Sequence, residues 1–310
     1  MEVLREISDS LLPLAWLVLL GVVLFRFRWL SEEVRHGLDR LNYFVALPAL
    51  IVRALVHAPA EVGEAGRMVL ALTGATLVTA VLAGGLTAAL RRGRAEMGVL
   101  CQASFRGNLG FVGLPVVALV AGTESAVLAR SALMFAPIMV VYNVLGVLCL
   151  VLAQHRVDAA LPRKVARSLI TNPLLIACGV GLGFWLTQRV PPRSVDTALE
   201  LLSQTAAPVA LLSLGGALVA YPVGRRLPMA SLGAVLKCGA CPAAAGLLCL
   251  PLGLTGESRQ AVLIFAACPT AVASYVLAKQ LKGDAALASA CIVVSTVVSA
   301  VSLGVVLALS

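Results

Sequence analysis

Charge is scarce in this sequence. Only 13% of its 310 residues are Asp, Glu, Lys or Arg, against about 25% in a soluble domain. All fifteen acidic residues fall at the ends of apolar runs or between them. None stands where the middle of a membrane would be, which argues against a proton relay through a buried carboxylate. Aromatic residues are also few, at 5%. The apolar mass is therefore mostly Leu, Val and Ala, a helical palette rather than a strand palette. The eight cysteines lie inside or at the edge of apolar runs, not in loops. That placement does not fit a disulfide framework. Cys238 and Cys241 form a CxxC, but it lies within a helix that continues through Pro242, so both read as small buried hydrophobes. The runs hold no acidic pair, no His cluster and no Ser/His/Asp arrangement. Chemistry on a substrate, a resident metal and a cofactor are therefore not supported.

What is abundant is apolar sequence. Hydrophobic residues make up 60% of the chain, and the mean hydropathy is +0.98. That is more than one core can hide, so the natural solvent is a lipid bilayer. About 20 apolar residues cross a bilayer as a helix. Ten such runs can be drawn, at about 9–25, 38–57, 67–90, 97–121, 126–152, 166–187, 197–219, 228–251, 258–280 and 285–309. The eighth and ninth are interrupted by Pro242, Pro251 and Pro269. The first run has a mixed-charge leader and no small-residue cleavage site after it, and reads as a retained membrane helix.

The net charge of +9 comes from Lys and Arg placed in the short breaks between runs. This is the pattern of cytoplasmic loop charge, and no nucleic-acid partner is implied. Of the 24 basic residues, 15 fall in the loops that join an odd span to the next even one, and six fall on the other side. The odd-to-even loops should then face the cytoplasm and both termini should face outward, in the cell membrane. The remaining three, Arg106, Arg130 and Lys237, sit inside spans.

A repeat is legible. Pro13 and Pro173 are 160 residues apart, as are Pro48 and Pro208. Pro115 and Pro269 are 154 apart, and Gly122 and Gly283 are 161 apart. Two sets of five spans must enter the membrane in opposite senses, the inverted-repeat plan of secondary transporters. The expected fold is an all-α membrane protein of ten transmembrane helices, with repeats over 1–155 and 156–310.

The segment SFRGNLGFVGLPVVALV (104–120) carries Arg106, Gly107, Asn108, Gly110, Gly113 and Pro115 inside an apolar span. Pro removes a donor, and Gly lets the backbone leave the helix. In lipid such backbone must be buried in protein or line a cavity. The matching break is FAACPTAVASY (265–275), around Pro269. Two facing breaks would present two half-helix N-termini with free N–H groups, a receptor for an anion. The packing alternative is that small residues simply let helices approach. Arg106 either attracts substrate, snorkels to the interface or counters Glu96. Tyr142, Asn143, Asn172, Thr270 and Ser274 are further polar candidates. Other mid-span polar residues, among them Gln102, Ser295 and Thr296, read as links between helices.

The segments LNYFVALPAL (41–50), RGNLGFVGLP (106–115), TNPLLIACGVGLG (171–183), AAPVALLSLGGAL (206–218) and CPTAVASYVLAKQLKGDAALAS (268–289) resemble the auxin efflux carrier family, and its bacterial organic-acid permeases most. The resemblance implies a fold similar to that of the bile acid sodium symporters. Helices 4 and 9 would unwind at their prolines and cross. Helices 1, 2, 6 and 7 would form a scaffold, often dimeric, and helices 3–5 and 8–10 a transport domain moving by an elevator-like step. Asn108 and Pro115 match the helix 4 motif, Asn172–Pro173 the helix 6 motif and Pro269 the helix 9 motif. One departure is Ala273, where bacterial relatives often carry Asn. The central loop is short, so an auxin substrate is not implied. The expectation is a homodimeric carrier of a small organic anion. A sodium-coupled symporter on the same fold and an anion channel are the alternatives.

Overall fold

A computed structural model describes residues 13, 16–58, 63–154, 163, 166–167, 170–220 and 223–309. The start of the expected span 9–25 and the expected loop charges Arg156 and Lys164 lie outside them. Regular structure among the described residues is helical, and the one extended pairing is a single bridge between Gly107 and Thr270. Among the described residues, five helices are long and apolar enough to cross a membrane: Ala65–Ala89, Ala126–Ala153, Arg193–Ala220, Gly224–Cys249 and Ala285–Ala308. At 1.5 Å per residue, the shortest, of 24 residues, spans about 36 Å. The shorter apolar helices Trp16–Arg26, Leu109–Ala121 and Pro173–Thr187 accompany them. The described residues group into two compact units.

The first unit takes Met1–Gly66, Leu109–Ala136 and Ser168–Ala220. Its helices are α1 (Trp16–Arg26), α2 (Glu32–Leu41) and α3 (Leu47–Val56), the last two joined without a break by a π turn at Asn42–Ala46. The Ser31 side chain caps α2 by accepting from the Val34 N–H (3.3 Å). Arg35 on α2 pairs with Glu32 and Asp39, and its hydrogen bond holds the Glu32 carboxyl below its ordinary value. Further along lie α8 (Pro173–Thr187) and α9 (Arg193–Ala220). α1 meets α9 almost backbone to backbone. A Cβ on Gly21 would strike the Leu212 carbonyl, and one on Gly215 the Val18 carbonyl. Small residues permit this approach, which helices in lipid use to gain van der Waals contact. α3 meets α8 similarly, with a Cβ on Gly181 falling 2.8 Å from Leu55. Arg53 on α3 is buried, and its Nη2 pairs with Glu124 (2.7 Å) and Glu200 (3.3 Å).

The second unit takes Arg67–Asn108, Pro137–Arg167 and Tyr221–Ser310. It holds α4 (Ala65–Ala89) from Arg67 onward, α5 (Arg94–Phe105) and the part of α7 (Ala126–Gln154) after its internal Pro137. The intervening α6 (Leu114–Ala121) belongs to the first unit. Then come α10 (Leu227–Val235), α11 (Cys241–Cys249), α12 (Gly256–Ala267), α13 (Ala273–Gln280) and α14 (Ala285–Ala308). Val99, Leu100, Leu150, Met229, Leu287 and Cys291 form its fully or nearly fully buried core.

Pro242 does not interrupt the eighth expected span. A π turn at Leu236–Ala240 joins α10 to α11 without a gap. Proline has no N–H, so the Cys238 carbonyl loses its usual donor four residues on. The Ser302 hydroxyl on α14 donates to that carbonyl instead (2.5 Å). The ninth expected span is interrupted, between α12 and α13.

Candidate functional site

The two broken helices meet by pairing their backbones. α5 ends at Phe105, and Arg106 leaves helical geometry at φ −74°, ψ 89°. α12 ends at Ala267, and Cys268 is extended at φ −54°, ψ 147°. The second break has a local cause, because the residue before a proline is pushed out of the helical region. The Asn108 N–H donates to the Pro269 carbonyl (2.8 Å), and the Ala271 N–H donates to the Arg106 carbonyl (2.8 Å). Gly107 and Thr270 thus form one rung of antiparallel sheet inside a helical membrane protein.

Side chains complete the pairing. The Thr270 hydroxyl donates to the Ala103 carbonyl at the end of α5 (2.8 Å). The Thr270 N–H donates to the Ser295 hydroxyl on α14 (2.9 Å), which in turn donates to the Ile292 carbonyl (3.1 Å). Broken backbone in a membrane is tolerated only when its groups are satisfied in this way.

Two expectations change here. The first break does not fall at Pro115. It falls at Arg106–Asn108, and Pro115 sits in the first turn of α6, where a missing N–H costs nothing. The amides of the breaks are not all free either. Those of Asn108, Thr270 and Ala271 are spent on the crossing itself. Those three amides are therefore not donors to an anion.

Arg106 is 5% exposed, so it neither snorkels nor meets Glu96. Glu96 is taken by Arg226 (2.6 Å). Arg106 Nη2 donates to the Asn143 side-chain oxygen (2.9 Å), and the Asn143 amide nitrogen donates to the Met139 carbonyl (2.8 Å). Arg106 Nη1 is buried and makes no hydrogen bond among the described residues. Gln102, one turn back on α5, donates from Nε2 to the Ser274 carbonyl (2.9 Å). That bond fixes the amide orientation and leaves Gln102 Oε1 buried and unpartnered, like the Ser274 hydroxyl. Tyr142 is fully buried with its ring 6.0 Å from that of Phe105. Its hydroxyl faces Thr76 and the Gly107 backbone but makes no hydrogen bond of ordinary geometry.

Two of the unpartnered atoms, Arg106 Nη1 and Gln102 Oε1, converge. A Cβ on Gly146 of α7 would lie 3.0 Å from Arg106 Nη1 and 3.4 Å from Gln102 Oε1. An unsatisfied buried polar group costs about 1–3 kcal/mol, and more when charged. A cluster of them beside a backbone crossing is suited to a polar guest: the guanidinium offers a charged donor, and Gln102 and Ser274 offer an acceptor and a hydroxyl.

Of the residues singled out in the sequence, the second unit brings together Arg106, Asn108, Tyr142, Asn143, Pro269, Thr270 and Ser274. Gly110, Pro115 and Asn172 belong to the first unit. The Asn172 side-chain oxygen accepts from the N–H groups of Leu174 (2.9 Å) and Leu175 (3.4 Å), so it caps α8. Asn followed by Pro at a helix start is itself the capping signature. Gly110 packs against Leu174, 3.1 Å from where its Cβ would be. Gln102 and Gly146 emerge only from the structure as neighbours of Arg106. Gln102 lies one turn from Arg106 in sequence, but no local pattern marks Gly146.

The profile of the family described as "Membrane transport protein" matches residues 6–307. A protein of Rhizobium meliloti (strain 1021) named "Putative malonate transporter" is 27% identical over 312 residues, covering 96% of this chain and 93% of the relative. An "Uncharacterized transporter" of Methanothermobacter thermautotrophicus (strain Delta H) is 29% identical over 301 residues, covering 96% of each.

Proposed function

The chain belongs to the membrane transport protein family, and from that membership we propose that it carries a small organic anion across the cell membrane by alternating access. It is an integral membrane transporter and not an enzyme. The observation that carries the anion reading is the buried Arg106 guanidinium, with one nitrogen held by Asn143 and the other unpartnered beside the crossing. A small carboxylate is the chemical match to that donor. The relative named for malonate supports a short dicarboxylate.

The mechanism proposed is elevator-like, on ten spans in two inverted repeats. Recurrence of element lengths supports the repeat. The 12-residue α5 leads into one break, and the 12-residue α12 leads into the other. The Lys and Arg distribution supports placing both termini outside, and the family resemblance supports a homodimer.

Counterflow tests this reading. Purified protein in liposomes preloaded with unlabelled malonate should accumulate labelled malonate with saturable kinetics. Flux that rises without saturation and shows no counterflow would indicate a channel. No uptake of malonate or any other small carboxylate would overturn the anion reading.

A further inference from the structure

A charge that the anion site does not use meets the helix end at the second break. Lys237 lies in the π turn between α10 and α11 and is fully buried. Its ammonium donates to the Ala266 carbonyl, one residue from the end of α12. No ion pair to Lys237 is present among the described residues. The other break is closed differently, by the uncharged Thr270 hydroxyl on the Ala103 carbonyl.

A helix C-terminus carries a partial negative charge of about half a unit and up to four carbonyls without helical partners. In carriers built on broken helices, such ends and the unwound carbonyls beside them are where coupling cations bind. At the end of α12, the Ile264 carbonyl accepts from the Cys268 N–H (3.0 Å), while the Ala266 carbonyl accepts a positive charge. A buried ammonium is costly in a membrane unless such acceptors meet it. The two costs offset each other here: the lysine meets the helix end, and the helix end meets the lysine.

We propose that Lys237 is a tethered cation, occupying the position at the α12 C-terminus where a metal cation would otherwise bind, so that transport runs without sodium. The proposal rests on the carrier reading but concerns a different group from the anion site. The π turn sets the rotation of the helix at this point, which is how a side chain from α10–α11 comes to face α12.

The test compares full-length wild type, Lys237→Ala and Lys237→Met in detergent, unfolded by heat in sodium chloride or in choline chloride at equal ionic strength. Wild type should melt at the same temperature in both salts. Lys237→Ala, with its carbonyls bared, should melt lower in choline and be raised by several degrees, saturably, by sodium. Lys237→Met fills the space without charge and should stay low in both. A saturable sodium-dependent rise in wild type, or a folded Lys237→Ala with no cation-specific shift, would overturn the proposal. If Lys237→Ala does not fold, liposome uptake decides. Sodium-insensitive wild-type uptake, retained by Lys237→Arg and lost by Lys237→Met, supports it; Lys237→Met transporting at the wild-type rate overturns it. Failure of wild type to take up malonate would overturn the anion reading, and the melting comparison would still decide the role of Lys237.

Discussion

The N–H of Asn108 donates to the carbonyl of Pro269 at 2.8 Å, although the two residues are 161 positions apart in the chain. The bond belongs to the backbone of Asn108 and not to its amide side chain. Its N–H holds the two breaks together, and the proposed role of its side chain is to meet the ligand.

Asn108→Ala keeps the N–H and removes the amide. It should fold with a melting temperature close to that of wild type and lose malonate binding. Asn108→Pro removes the N–H and should fail to give a stable protein. Normal malonate uptake by Asn108→Ala would remove the residue from the site.

Thr270→Val keeps the shape of the side chain and deletes the donor that closes the end of α5. The Ala103 carbonyl would be left buried without that bond, at a cost of about 1–3 kcal/mol. Thermal unfolding should show the loss, and Thr270→Ser should restore most of it. An unchanged melting temperature in Thr270→Val would show that another donor replaces the hydroxyl.

Gly146→Ala places a methyl 3.0 Å from Arg106 Nη1. The guanidinium must shift, so KM for substrate should rise by about tenfold or more, equivalent to roughly 1.4 kcal/mol. The fold should hold, because the neighbouring atom is the end of a flexible side chain. A wild-type KM would mean that Arg106 Nη1 does not face the substrate.

Asn172→Ala should behave in the opposite way. Loss of the cap on α8 should lower stability by about 1 kcal/mol while leaving KM unchanged. A raised KM with unchanged stability would restore Asn172 to the binding site.

These residues also show what could be read before the fold was known. The break at Pro269 was legible because proline and its predecessor force it locally. The residues marked the first break only as a stretch from Gly107 to Pro115, the resemblance put it at Pro115, and the structure opens the helix at Arg106–Asn108. Proline is tolerated in the first turn of a helix, so it marks a beginning as readily as an interruption. What opens the helix at Arg106 is pairing with residues 269–271, and no short stretch of sequence contains that partner. The same distance hid the fate of the amides. Glycines and prolines predicted free N–H groups, but one from each break, Asn108 and Ala271, binds the other break and that of Thr270 binds Ser295. Arg106 and Lys237 stood out as charges in apolar runs. Their acceptors, Asn143 and the Ala266 carbonyl, are supplied by tertiary packing.

In the proposed carrier, the unpartnered nitrogen of Arg106 receives a carboxylate. Isothermal titration of malonate into purified wild type and Arg106→Gln tests it most directly, with melting curves to establish that both are folded. Saturable binding by wild type, lost in a folded Arg106→Gln, is the predicted result. Equal affinity in the two proteins would show that Arg106 does not hold the carboxylate.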